Sequence, residues 1–408
     1  MRILLLTDIP PCKNFTAGLV LDQLCRFLPE GSIACFAVVN RNINARLSPD
    51  LDWIPVEYAE KPREYAIRLL PGRFGALSAF PIERYNALVK TKPLISRAVN
   101  FGRQFSANAV WCVLQGQTMI RMARQVAKAL EVPLLTQIWD PLSWWLRANQ
   151  VDRISRSLIS KEFDRVLMAS RSCAAASWAM AQEYNRKYGV ACTPLILGID
   201  PRDAVEPAER INQSNELIIG IAGQLYAADA WYALLSALDR AGWKVRGRDV
   251  RIRFLGRRLN LSAENGMRVE YLGWHPQKEV IRLLSQTDIL YCPYWFDPNF
   301  AEEARLCFPS KLVTYLASGR PILFHGPEYS SPALFLKENN AAIFCHSLQP
   351  RKIFNAIESC AINEDLYYEI VQNGRAAFIR HLTKSTMRVN FAHFLDIDER
   401  FLNEIDRL

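Results

Sequence analysis

Apolar positions along the chain come in short runs of four to seven, each bounded by turn residues, and alternate with longer stretches in which apolar residues recur every three or four positions. That alternation predicts buried parallel strands joined by crossover helices. In the first half, strands are expected at 2–7, 32–39, 109–113, 134–138 and 165–169, with helices at 18–28 and 118–130. A second series follows the segment 192–202. Its strands are expected at 217–222, 251–255, 269–272, 289–292, 321–324 and 342–344, and its helices at 228–241, 277–285, 311–317 and 350–363. A last helix is expected over about 385–408. The same kind of unit is thus written twice, with no low-complexity tract and no short repeat.

Length supports the doubling, since 408 residues exceed one ordinary core and suit two α/β domains. Half of the residues are apolar and 22% are charged, as in a packed globular chain. The opening MRILLLTDIPP has too short an apolar run, Ile3 to Leu6, for a secretory leader and reads as a first strand. No run approaches the ~20 apolar residues of a membrane span. Ten cysteines are scattered without a C-x-x-C pair or metal-ligand spacing, which reads as reduced core thiols and predicts a cytoplasmic protein.

Charge changes the picture only when it is divided. Residues 1–195 carry 25 Lys and Arg against 15 Asp and Glu, whereas 196–408 carry 25 against 26, so the net charge of +9 arises in the first half. An acidic partner, such as an anionic lipid surface or a lipid diphosphate, is expected to meet that half. Residues 61–103 interrupt the α/β rhythm and hold nine basic residues against Glu64 and Glu83. Apolar Tyr65, Ile67, Leu69, Leu70, Phe74, Leu77 and Phe80 interleave with Arg63, Arg68, Arg73 and Arg84, a mixture suited to an anionic membrane interface or an acceptor. The other reading is a pair of solvated helices over the sheet edge.

Four segments of the second half carry candidate chemistry. PLILGIDP, 194–201, has a permissive Gly198 and a turn-ending Pro201. IIGIAGQL, 218–225, is a strand ending in Gly223 before a helix, which leaves backbone N–H groups for a diphosphate. VEYLGWH, 269–275, precedes a helix and the strand-end TDILYCP of 287–293. In 302–323, Pro309 and Ser310 stand where a helix starts, with Ser310 able to cap it and Lys311 to add a positive charge.

In order and spacing these segments resemble the family 4 glycosyltransferases, over most of 193–385. The resemblance implies an α/β GT-B fold, two Rossmann-like domains facing each other across a cleft. The expected boundaries are 1–197 for an acceptor-binding domain, 198–384 for a nucleotide-sugar-binding domain, and 385–408 for a helix crossing back to the first. It implies transfer of a sugar from a nucleotide-sugar donor to the hydroxyl of a saccharide or lipid-linked saccharide, in bacterial surface polysaccharide or glycolipid synthesis. The transfer is expected to be retaining and to need no metal and no cofactor, the nucleotide sugar being a substrate. The lone Asp-x-Asp triplet, Asp396 to Asp398, falls in the expected tail helix and is discounted as a metal site.

Residue by residue, the resemblance places the diphosphate at Gly223, Gln224, Pro309, Ser310 and Lys311, the base at Trp274 and His275, and the ribose at Thr314 or at Glu302 or Glu303, with Glu303 favoured. Arg320 or Arg257 would add positive field. The chain departs from the family's pattern at Gln224, which stands for Arg, at Ala228 or Asp229, which stands for Lys, and at Thr314, which stands for Glu. In the first half, Gly18 matches the turn under the sugar diphosphate. Asp140 keeps one member of a His-Asp pair whose histidine is Trp139 here; it is expected to orient or deprotonate the acceptor hydroxyl, or else to cap the next helix. Lys311 and Asp140 are the catalytic candidates. Three alternatives stay open: a sugar-nucleotide epimerase, a catalytically silent GT-B partner subunit, and, with no supporting motif, a nucleic-acid binder.

Overall fold

The structure, a computed structural model, describes residues 1–64, 74–209, 214–256 and 268–404. It divides into two compact units, one formed by Met1–Leu195 with Arg388–Leu408 and the other by Ile196–Met387.

The first unit is built on strands whose residues are buried on both faces, the signature of a parallel sheet covered by helices. In chain order the elements are β1 (Ile3–Thr7), α1 (Thr16–Arg26), β2 (Ile33–Val39), β3 (Val56–Glu60), α2 (Gly75–Tyr85), α3 (Thr91–Gln104), β4 (Ala109–Val113), α4 (Gly116–Leu130), β5 (Leu134–Ile138), α5 (Leu142–Ala148), α6 (Arg153–Met168), β6 (Ser172–Ala175), α7 (Trp178–Tyr188) and β7 (Ala191–Pro194). Among the described residues the sheet has seven strands in the order β3-β2-β1-β4-β5-β6-β7, and every pairing is parallel. Leu5 sits opposite Cys35 on one side and Trp111 on the other. The winding reverses between β1 and β4, so the carboxyl ends of those two strands flank a switch point, where ligands of open α/β sheets bind.

One expected strand is a correction. Residues 165–169 close α6, which Asp152 starts by accepting hydrogen bonds from the Ile154 and Ser155 amides. Burial at Ser155, Ile159, Phe163, Val166 and Leu167 follows the helical period. The strand instead lies at Ser172–Ala175, where small buried residues leave little apolar signal. Strands β3 and β7 were not among the expected elements either. Of β3 only Ala59 is buried, and β7 has no fully buried residue.

The segment 61–103 includes residues 65–73, which lie outside the described ones with Tyr65, Ile67, Arg68, Leu69, Leu70 and Arg73. Its described part forms α2, a π turn at Asn86–Lys90, and α3. Gly102 of α3 has no room for a Cβ against Leu130 and Leu4, so this helix lies close over the sheet. Glu83 pairs with Arg121 of α4 at 2.6 Å and is not a solvated charge.

The second unit holds β8 (Glu216–Ala222), α8 (Ala228–Arg240), β9 (Lys244–Val245), β10 (Arg248–Leu255), β11 (Val269–Tyr271), α9 (Gln277–Leu284), β12 (Ile289–Pro293), α10 (Ala301–Leu306), α11 (Ser310–Ala317), β13 (Ile322–His325), α12 (Ser331–Glu338), β14 (Ile343–Cys345), α13 (Pro350–Ile362) and α14 (Glu364–His381), and the last helix, α15 (Lys384–Leu395), begins in it and passes into the first unit at Arg388. The strand order is β11-β10-β8-β12-β13-β14, all parallel, with β9 antiparallel on the far side of β10. Here the winding reverses between β8 and β12. A buried Arg248–Asp288 pair at 3.2 Å fixes the start of these strands, and Asp288 also accepts from the Ile218 amide at 2.6 Å.

The C-terminal segment 388–408 belongs to the first unit. Phe391 and Phe394 pack on Trp111 at ring separations of 5.3 and 6.0 Å, and Asn403 donates to the carbonyls of Arg26 and Leu28. Burial of three large aromatic side chains contributes on the order of 5 kcal/mol or more. The tail is shorter in helix than expected, since α15 stops at Leu395. Asp396 follows in a left-handed conformation at φ 55° and pairs with Arg171, while Asp398 caps a short 3₁₀ turn and pairs with Arg400. All ten cysteines are free thiols, eight of them buried.

Candidate functional site

In the second unit the switch point gathers several of the expected residues. β8 runs out at Ala222, and Gly223 takes up φ +81°, a conformation open to glycine, while its amide donates to the Leu255 carbonyl at 2.8 Å. Helix α11 is pinned beside this turn by Tyr315. The fully buried Tyr315 hydroxyl accepts from the Ala222 amide at 2.9 Å and donates to the Tyr291 carbonyl at 3.3 Å, so it ties α11 to the end of β8 and to the middle of β12.

One turn earlier on α11, Lys311 lies over the glycine turn. Its Nζ donates to the Gln224 main-chain oxygen at 2.8 Å and stands 4.5 Å from the centre of the Tyr226 ring. No carboxylate pairs with it among the described residues, and burial pulls its ammonium down to about 8, with Cys292 the lesser influence. Pro309 is the N-cap of α11, and no side chain caps the helix. Ser310 is therefore the first helical residue and not the expected cap. The geometry leaves a lysine and an uncapped helix N-terminus, of a helix eight residues long, beside the carboxyl ends of β8 and β12, an arrangement that attracts an anion.

Aromatic residues that the sequence reading missed form the floor beside Lys311. Tyr226 packs at 4.5 Å from Trp295, which stacks on Phe300 at 5.6 Å and 12°. The Tyr226 hydroxyl is buried without a hydrogen-bond partner among the described residues. Its signal was its place three positions after Gly223. Asp229 accepts from the Phe296 amide at 3.1 Å and the Ala230 amide at 2.8 Å, and so holds the loop after β12 to the start of α8.

The remaining candidates of this unit lie on the loop after β11, on α10, and on and just after α11. Trp274 follows Gly273 (φ 74°) beyond β11 and is 81% exposed; β10 separates that strand from β8. Next to it, the His275 ring bonds the Leu272 carbonyl at 2.8 Å, which orients it on the same loop. Glu303 is buried in α10, whereas Glu302 is exposed. Thr314 is buried one turn beyond Ser310. Arg320 is engaged by the Ser285 carbonyl and the Tyr367 hydroxyl and so does not stand free beside Lys311. Arg257 lies outside the described residues.

In the first unit, Gly18 is buried in the first turn of α1. A Cβ there would collide with Cys12 Sγ and lie 2.8 Å from the Cys12 carbonyl oxygen, so close approach of helix and preceding loop accounts for the glycine. Asp140 is exposed just beyond β5, next to Pro141, the N-cap of α5. An open groove of about 340 Å³ lies between the β1–α1 loop and the segment after β2, lined by Lys13, Asn14, Asn44, Arg46 and Ser48 among others. Among the described residues no group of three or more His, Cys, Asp or Glu is placed to hold a metal ion, and no helix is long and apolar enough to cross a membrane.

No protein-family model and no curated protein sequence matches the chain. Solved structures do. Anabaena HepE in complex with UDP superposes with a TM-score of 0.65 at 14% identity, covering 97% of this chain and 100% of that one. A sucrose-phosphate synthase from Thermosynechococcus elongatus gives 0.64 at 12%, covering 97% and 98%. A UDP-forming trehalose-phosphate synthase from Burkholderia xenovorans gives 0.61 at 12%, again covering 97% and 98%. The chain has the fold of the GT-B glycosyltransferases.

Proposed function

We propose that this protein is a nucleotide-sugar-dependent glycosyltransferase whose second unit binds the donor. The observation that carries the reading is Lys311, without a carboxylate partner among the described residues, over the Gly223 turn at the β8/β12 switch point. A departing diphosphate carries developing negative charge, and a preorganised cation with a helix N-terminus stabilises it where it forms. Gly223 lets the backbone come close to the phosphates, and Lys311 leaves the Gln224 carbonyl to pair with them. Trp274 stacks on the base, with His275 beside it as a hydrogen-bonding group. Thr314, or Glu302 or Glu303 with Glu303 favoured, contacts the ribose hydroxyls. HepE, similar in fold, is described in complex with UDP and with UDP-glucose, and this supports a uridine nucleotide as the first to test.

The remaining functional reading rests on the sequence resemblance. The acceptor is a hydroxyl of a saccharide or a lipid-linked saccharide, held by the first unit, with Asp140 orienting it and Gly18 shaping the loop before α1. The transfer is metal-independent and retaining and serves bacterial surface polysaccharide or glycolipid synthesis. The protein works in the cytoplasm, and the basic segment 61–103 brings it to an anionic membrane face. A second reading, a silent partner subunit, rests on the same resemblance, because Gln224, Ala228 or Asp229, and Thr314 stand where its pattern has Arg, Lys and Glu. Calorimetry with UDP, GDP, ADP and their glucose or mannose esters decides between them. Donor binding at micromolar affinity that Lys311→Ala weakens tenfold or more supports the transferase. Absence of binding to every nucleotide sinks it.

A further inference from the structure

The switch point of the first unit carries the opposite charge to that of the second. Asp8 follows β1 directly and is 9% exposed. Lys61, the first residue beyond β3, reaches its Oδ2 at 3.1 Å and Glu64 Oε2 at 2.9 Å. Glu64 in turn accepts from the Thr118 amide and, through its carbonyl, from the Gln117 side chain, so it caps α4 at the carboxyl end of β4. Gly116 makes room for this with φ +80°, because a Cβ there would collide with Glu64 Oε2. Two carboxylates and one ammonium leave a buried net charge of −1. Asp8 Oδ1 is buried and has no hydrogen-bond partner among the described residues.

Each part of this cluster has a structural task except that oxygen. The N-terminus of α4, which in an α/β sheet is the place for an anion, is already filled by Glu64. A phosphate or carboxylate at this end would meet a negative cluster, whereas a neutral hydroxyl would supply the one hydrogen bond that is missing. We propose that Asp8 Oδ1 is the hydroxyl-binding group of the first unit and that its ligand is an uncharged glycosyl hydroxyl, with Lys61 and Glu64 as positioning residues. Burial also raises the Asp8 carboxyl, against the pull of Lys61, which suits it to share a proton with a bound hydroxyl. The assignment rests on the glycosyl-transfer reading for its ligand class, and it adds a carboxylate to Asp140 on the acceptor side.

The test uses the full chain and free glucose, galactose, mannose and N-acetylglucosamine as probes. Saturation-transfer NMR is expected to detect at least one of them on the wild type, and Asp8→Asn, which keeps an oxygen for Lys61, is expected to weaken it at least tenfold. Lys311→Ala is expected to leave it within twofold. Amide exchange in the wild type adds a readout that needs no variant, with protection by the sugar at residues 8–9 and 116–118. Binding by none of the sugars, equal binding by Asp8→Asn, or protection elsewhere only would each overturn the assignment. UDP calorimetry on the same samples keeps the two readings apart, because loss of UDP binding in the wild type counts against the donor site while the sugar arm still decides on Asp8.

Discussion

The sharpest consequence of the Lys311 geometry is a proton taken up when a diphosphate binds. Burial over Tyr226 and the Gly223 turn holds the free lysine at about 8, against the usual value of 10.5. A diphosphate beside it favours the ammonium, so the complex retains its proton to higher pH than the free protein does. The sign follows from linkage. Below about pH 7 both states are protonated and affinity is flat, whereas above pH 8 binding must draw a proton from solvent and affinity falls as pH rises. At pH 9 only about one free molecule in ten carries the ammonium, so affinity is about tenfold lower than at pH 7. The ceiling, reached near the ordinary lysine value, is ~3 kcal/mol, and partial exposure of the side chain lowers it.

UDP-glucose is the suitable ligand because each of its phosphates carries one ester and one anhydride linkage, which leaves a single strongly acidic oxygen that stays ionised across this range. Its affinity would be measured by calorimetry at pH 7, 8 and 9, in pairs of buffers of different ionisation enthalpy so that the proton count is read directly. Lys311→Arg is the control. Its guanidinium stays charged throughout, so any titration of the ligand itself cancels in the ratio of the two proteins. A tenfold fall in that ratio from pH 7 to 9, with proton uptake approaching one per site at pH 9, is expected. A ratio independent of pH, with no proton taken up, would refute the placement of Lys311 on the phosphates.

Three further outcomes follow. Gly116→Ala puts a Cβ into Glu64 Oε2 at φ +80° and is expected to cost ~2–4 kcal/mol in urea unfolding, since backbone strain adds to the loss of the α4 cap; a change below ~0.5 kcal/mol would contradict the packing described. Trp274→Ala, at an 81% exposed position, is expected to leave stability within ~0.5 kcal/mol yet weaken nucleotide binding by ~1–2 kcal/mol, and equal affinity would remove the stacking role. His325 is buried with Nε2 donating to the Ser347 carbonyl and Nδ1 at 2.6 Å from the Tyr291 hydroxyl, and burial lowers it from 6.5 to about 4. The unfolded chain then binds more protons between those values, so this residue alone removes ~2 kcal/mol of stability from pH 7 to 5, a loss that His325→Asn should lack.

How far the sequence discloses this molecule depends on the range of the interactions concerned. Strands such as β1, β4 and β8 were legible because burial on both faces forces an uninterrupted apolar run, and α8 and α13 were legible from their period. β6 was not, because Ser172 to Ala175 are buried through small size, and the neighbouring Val166 and Leu167 offered a stronger but helical apolar signal. The Gly223 turn and Lys311 could be named because each sits in a local motif, a glycine closing a strand and a lysine opening a helix. Their meeting at 2.8 Å could not be read from either segment, since Tyr315 brings it about by tying α11 to β8 across 93 positions. Asp8 shows the same limit more strongly. Its lysine partner is 53 positions away and the amide that Glu64 caps is 54 positions from Glu64, so no local pattern marks any of the three. Ion pairs and caps formed between loops depend on strand order, and strand order is a property of the closed sheet. Sequence motifs therefore locate the backbone half of a switch-point site, the glycine and the helix start, while its charged half is defined only once the strands on either side of the reversal are known.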